Sequence, residues 1–140
     1  MFPVPKLHPS CSDAGYPESV SLSSSSPRSP SSRQLPSWLG SYTRLAGVTS
    51  GGAPVWRHLT DPTKYLFYHA VGPDRGVWAC GGDYRGAVGS IQSSSGDRGR
   101  LPQTGWTCWD GEEWREDSTL TCQPLGDREI WELLVFNFLI

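Results

Sequence analysis

The chain has 140 residues, with 12 Lys+Arg against 14 Asp+Glu and a formal net charge of -2. That length fits one domain with tails, and the near-neutral balance argues against a dedicated nucleic-acid binder, which presents a clustered basic face. Gly 16 and Pro 12 are high counts, short of a wholly low-complexity composition.

Residues 1–36 open the chain. The stretch Met1 to His8 lacks the apolar centre of a secretory leader, so the chain as written starts in the cytosol, whereas a fragment of a larger protein would start elsewhere. No apolar run reaches the roughly 18 residues needed to cross a bilayer, and no transmembrane span is expected. Ser21, Ser23 to Ser26, Ser29, Ser31 and Ser32 alternate with Pro27, Pro30 and Pro36. Such a stretch buries too little apolar surface to offset its ordering entropy, so 1–36 is expected to be a disordered Ser/Pro-rich tail. Ser26-Pro27 and Ser29-Pro30 suit proline-directed kinases, although such dipeptides are common in plain solvated linkers.

Residues 38–124 read as a Trp-rich β module. Turn signals punctuate it: Ala46-Gly47, Ser50-Gly51-Gly52, Asp61-Pro62, Gly72-Pro73-Asp74, Gly81-Gly82-Asp83 and Asp110-Gly111. Between them lie short β-prone runs: Pro54 to Leu59, Lys64 to Val71, Gly76 to Cys80, Thr104 to Trp109, and Trp114 to Thr121. Strands of this length with regular turns predict an all-β fold, either a small antiparallel sheet or meander or a compact barrel-like module. In Lys64 to Val71, alternation puts Tyr65, Phe67, His69 and Val71 on one face and Leu66, Tyr68 and Ala70 on the other. With both faces apolar or aromatic, this strand is expected in the middle of the sheet. Residues 89–99 offer no apolar anchor around Ser93-Ser94-Ser95 and are expected to form a mobile loop.

Asp110-Gly111 predicts a tight hairpin that sets Trp109 opposite Trp114, with Asp110 capping the turn. Asp110, Glu112, Glu113, Glu116 and Asp117 form an acidic cluster beside these rings. Trp109, Asp110 and Trp114 are therefore the candidate binding residues, with a well-made hairpin and solvated acids as the plain alternative.

The four cysteines, Cys11, Cys80, Cys108 and Cys122, allow three pairings. Cys11 lies in the tail and is expected to stay unpaired. Cys80, Cys108 and Cys122 are the possible disulfide cysteines, with at most one bridge among them. Residues 125–140 close the chain with the apolar run Ile130 to Ile140. Three readings stand for it: a final strand or helix, a partner-binding tail, or a translation artefact.

Reactive groups at working spacing are missing. There is no nucleophile elbow, no metalloprotease helix, no phosphate loop and no dinucleotide fingerprint. Cys80, His58 and Asp61 make an imaginable nucleophile, base and orienter, but nothing local supports catalysis. The cysteines lack the Cys-x-x-Cys knuckle of a zinc site. No catalytic residue, metal or cofactor is expected.

Gly40-x-Tyr42, Gly52-x-Pro54-Val55-Trp56, Tyr65-Leu66-Phe67-Tyr68, Trp78, Gly82-x-x-x-Gly86, Pro102 and Trp106-x-x-Trp109-Asp110-Gly111-x-x-Trp114-x-x-Asp117-x-x-Leu120-x-Cys122 follow one another in order. The series resembles a small Trp/Tyr/Gly-rich β module repeated in large secreted or cell-surface animal proteins. Trp56 stands where that pattern has tyrosine, and Cys80-Gly81 where it has an aliphatic residue and glycine. The resemblance implies a non-enzymatic binding or adhesion module, here a single copy or a fragment of an extracellular protein, with a protein or glycan ligand. An alternative is a carbohydrate-binding module using the Trp109/Trp114 hairpin.

Overall fold

The computed structural model describes residues 16–73, 75–84, 90–93 and 97–125. Among them run nine strands: β1 (Ser19–Ser24), β2 (Gly40–Ser50), β3 (Ala53–His58), β4 (Tyr65–Gly72), β5 (Arg75–Gly81), β6 (Ile91–Ser93), β7 (Trp106–Trp109), β8 (Trp114–Asp117) and β9 (Leu120–Pro124). Among the described residues, helix is confined to α1 (Pro30–Gln34) and a single 3-10 turn at Pro36–Trp38. No helix among the described residues is long and apolar enough to cross a membrane.

Each strand pairs antiparallel with its neighbours, in the order β8-β7-β6-β5-β4-β3-β2-β1-β9. From β1 to β8 this is a meander, while β9 returns to lie beside β1. The strands at the two margins, β8 and β9, are consecutive in the chain and separated only by Ser118 and Thr119. The chain from Asp117 to Leu120 reaches at most about 11 Å, so the margins must meet. The sheet therefore curls into a nearly closed barrel. The Cys122 amide on β9 donates to the Gln103 carbonyl in the segment before β7 at 2.9 Å.

Alternation along the strands fills the interior. Val20, Leu22, Tyr42, Trp56, Leu66, Tyr68, Trp78, Cys80, Ile91, Trp106, Cys108, Leu120 and Cys122 belong to one buried cluster. Val55, Phe67 and Ala79 face outward as a second cluster. The alternation expected of β4 is present: Leu66 and Tyr68 point inward, Phe67 outward, and β4 is the central strand of the sheet.

The outer cluster is covered because β2 bulges. Arg44 pairs with Trp56 and Thr49 with Pro54, so β2 advances five residues while β3 advances two. Ala46-Gly47, a turn signal in the sequence, is this bulge inside one long strand. It brings Leu45 and Val48 against the outer cluster. Gly76 on β5 shows how closely the sheet is packed. A Cβ there would sit 2.4 Å from the His69 carbonyl oxygen and 2.7 Å from Tyr68 Cζ. Gly76→Ala is expected to destabilise the fold by about 1–3 kcal/mol; an unchanged denaturation midpoint would contradict this packing.

Two expectations are corrected. The segment 1–36 is not a tail throughout: Ser19–Ser24 is β1, hydrogen-bonded to β2 on one side and β9 on the other. Neighbouring strands satisfy its backbone, and Val20 and Leu22 supply the burial that Ser/Pro composition conceals. Ser29 then caps α1 by accepting the Ser32 amide, with Pro30 in the first turn. The module thus begins before residue 38, while 1–15 lie outside the described residues. The expected loop 89–99 contains β6, pinned by buried Ile91 and by Ser93, whose hydroxyl accepts the Trp78 amide at 2.9 Å. The calls on Cys11 and on residues 126–140 also lie outside the described residues.

Both tryptophans on β3 and β5 tie down surface segments. The Trp56 indole N–H donates to the Pro17 carbonyl at 3.1 Å, and that of Trp78 to the Asp97 carbonyl at 3.0 Å. The Tyr16 hydroxyl donates to the Arg98 carbonyl, with its ring 6.1 Å from Trp56 and 6.2 Å from Trp78. Segments 16–17 and 97–98 thereby close over the interior aromatic residues.

Candidate functional site

Along β7 the side chains alternate: Trp106 and Cys108 are buried, and Trp109 is 40% exposed. Trp109 pairs across the hairpin with Trp114. Their ring centroids are 5.6 Å apart with 65° between planes, an edge-to-face contact. The sequence placed these two rings opposite each other, and the structure brings them together on the outer face.

The turn between them is built by Asp110. Its Oδ1 accepts the Glu112 and Glu113 amides at 2.8 and 2.9 Å, and its own amide donates to the Glu113 carbonyl at 3.1 Å. Its Oδ2 accepts from Arg115 Nε. The Arg115 contact first, then the two amides, hold the Asp110 carboxyl down at about 2. Gly111 adopts φ +104, open to glycine and rarely to other residues. Both Asp110 oxygens are therefore engaged inside the turn, which makes Asp110 a turn-building residue. Arg115 also reaches Glu113 at 3.1 Å, while Glu112 and Glu116 stay exposed.

Asp117 does not belong to this acidic face. It is 2% exposed. Its Oδ2 accepts the Ser31 amide at 3.0 Å; its Oδ1 accepts the Thr119 amide at 3.0 Å and the Thr119 hydroxyl at 2.6 Å. Burial pushes its carboxyl up, but these hydrogen bonds outweigh burial and leave it below its ordinary value. Ser24, Ser29 and Ser31 extend the network, with Ser24 Oγ 2.7 Å from Thr119 Oγ1 and 2.9 Å from Ser29 Oγ. The pattern Asp117-Ser118-Thr119 is a recognisable Asx turn in sequence; its partner Ser31 is visible only in three dimensions.

Among the described residues Cys80, Cys108 and Cys122 are free thiols in the barrel interior, so the possible bridge among them is not formed. Cys80 pairs with Ile91, and Ile91 with Cys108, so one strand separates the two cysteines. Two strand spacings amount to about 9.6 Å, beyond the roughly 7 Å that a disulfide tolerates between Cα atoms. Burial pushes Cys108 and Cys122 up to about 12 and raises Cys80 further, with the neighbouring Cys122 adding to the effect. Such thiols behave as small apolar side chains.

The imagined nucleophile, base and orienter serve the fold. Cys80 is buried in the interior cluster with Tyr42, whose hydroxyl donates to the Trp38 carbonyl at 2.6 Å. His58 Nδ1 accepts the Thr60 and Asp61 amides, each at 3.2 Å, which assigns the ring proton to Nε2. Nε2 donates to the Leu39 carbonyl at 2.9 Å. Asp61 pairs with Lys64 at 2.5 Å, and Lys64 also lies over the Trp38 ring. Comparison with known families, curated proteins and solved structures finds no match for this chain.

Proposed function

We propose that this chain is a non-enzymatic binding module that engages a protein ligand through the outer face of the β7–β8 hairpin. One observation carries the reading. Trp56, Trp78 and Trp106 are fully buried, whereas Trp109 is 40% exposed on β7, next to the margin strand β8. Exposed tryptophan is the side chain most able to anchor a partner. β8 pairs with β7 alone among the described strands, so the hairpin offers an aromatic face next to a sheet edge. An extracellular setting and an adhesion role enter this proposal through the resemblance to repeated extracellular modules. A glycan is the less favoured ligand, because the Asp110 oxygens are already occupied within the turn.

The test is a Trp109→Ala variant assayed against a panel of cell-surface and secreted ectodomains and against a glycan array. Folding stability is expected to fall by only about 0.2–1 kcal/mol, the scale of one cross-strand aromatic pair. Ectodomain binding is expected to weaken by about thirtyfold, as for an interface hot spot. Binding that survives the substitution would overturn the site, and a glycan signal that disappears with Trp109 would transfer the reading to carbohydrate.

A further inference from the structure

The register from β5 to β8 sets what stands beside the exposed tryptophan. Ala79 pairs with Gln92, Gln92 with Thr107 and Thr107 with Glu116, so these side chains share the outer face with Ala79. Trp114 lies two residues before Glu116 on β8 and belongs to the same face. Glu116 is therefore diagonal to Trp109, about 7–8 Å away. It is exposed and makes no side-chain hydrogen bond or ion pair among the described residues. The cation of the hairpin does not offset it. Arg115 pairs with buried Cys108, on the opposite side of the strand from Trp114 and Glu116, and its guanidinium is bonded to Asp110 and Glu113. Among the described residues, the outer face of the hairpin thus carries two indoles and one uncommitted negative charge.

Both features attract the same chemistry. An indole face is electron-rich and draws a cation to within about 6 Å of its centre, and a carboxylate diagonal to it draws the same charge. An anionic side chain is repelled by Glu116, and an aliphatic one gains nothing from it. Arginine suits the pair best, because its planar guanidinium stacks on an aromatic ring while its N–H groups stay free for a carboxylate. Resting on the hairpin reading above, we propose that the protein partner presents an arginine side chain, which lies over Trp109 and donates to Glu116.

Acetyl-Gly-Arg-Gly-amide and its neutral citrulline counterpart are titrated into the full chain at low salt while indole N–H resonances are followed. The arginine peptide is expected to shift the indole N–H of Trp109 and Trp114 and to leave that of buried Trp78 in place. The citrulline peptide is expected to bind about tenfold more weakly, through loss of both cation contacts. Glu116→Gln, a surface change, is expected to weaken the arginine peptide by about threefold, the scale of an exposed ion pair. Glu112→Gln, which alters an equally exposed acid in the turn, is expected to leave it unchanged. Equal affinity for arginine and citrulline overturns the proposal. So does undiminished binding to Glu116→Gln, or an equal loss with Glu112→Gln, which reduces the effect to net charge. If the arginine peptide leaves both indoles unmoved at millimolar concentration while an ectodomain still binds through Trp109, the arginine partner is excluded and the hairpin reading stands. If ectodomain binding is also independent of Trp109, both fall.

Discussion

Trp78→Ala is expected to destabilise the protein by about 3–5 kcal/mol, the range for deleting a buried large aromatic side chain. Trp78 is fully buried and touches three aromatic rings, with centroids 5.3 Å from Tyr68, 5.8 Å from Trp56 and 6.2 Å from Tyr16. These rings cannot collapse into the space left behind, because Tyr68 is held against Gly76 and Tyr16 is tethered through its hydroxyl. The indole N–H bond to Asp97 is lost as well, which frees the 97–98 segment from the interior. Domains of this size are stable by roughly 5–15 kcal/mol, so the loss takes a large share of the total. Chemical denaturation followed by far-ultraviolet circular dichroism reads it directly. A cost below about 1 kcal/mol would mean that Trp78 is not in the barrel interior. The contrast with Trp109→Ala, similar in side-chain chemistry but exposed, separates a tryptophan that holds the fold from one available to a ligand.

Asp117→Ala is expected to cost about 3 kcal/mol, because it removes the acceptor of one buried and two half-buried donors at once. The Ser31 amide, the Thr119 amide and the Thr119 hydroxyl all point at the carboxylate. Each buried donor left without a partner costs about 1–3 kcal/mol, and water reaching the gap recovers part of that. Asp117→Asn separates charge from shape. Its carbonyl can serve Thr119, but its amide would face the Ser31 N–H, donor against donor, at a cost of about 1–3 kcal/mol. The wild-type carboxyl is held below its ordinary value, so the unfolded chain binds its proton more readily than the folded one. The stability contributed by Asp117 is therefore complete above the unfolded value near pH 4, and is lost as pH falls through the lowered folded value. Wild type should lose stability across that acid window, and Asp117→Asn should lose less. Parallel acid profiles for the two proteins would show that Asp117 is not held as a carboxylate.

Much of the barrel was legible in the residues themselves. β4 carries large side chains on both faces from Tyr65 to Tyr68, a pattern that suits only a strand covered on both sides, and it is central. Asp110-Gly111 between Trp109 and Trp114 contains its own turn chemistry, so the hairpin was readable from ten residues. β1 was not readable. Its Ser-rich composition reports the entropy cost of ordering the segment, but not the two strands that supply its hydrogen bonds. The hydroxyls that look like marks of a solvated tail are paired across the sheet, Ser19 with Thr43 at 2.8 Å and Ser24 with Thr119 at 2.7 Å. β6 was hidden for a similar reason: one buried isoleucine is no periodic pattern, and Ile91 is held by partners eleven residues before and seventeen after it.

By itself, the sequence determined the all-β class, the central strand and the hairpin that faces its two tryptophans, because each depends on alternation or on turn residues within a few positions. Only the tertiary structure decided which tryptophans are buried, that the cysteines of β5 and β7 stand too far apart to bridge, and that Asp110 is spent on its turn while Asp117 anchors α1. Those outcomes depend on which strands become neighbours when β9 closes against β1, and the pairing of distant segments is set by the packing of the whole barrel.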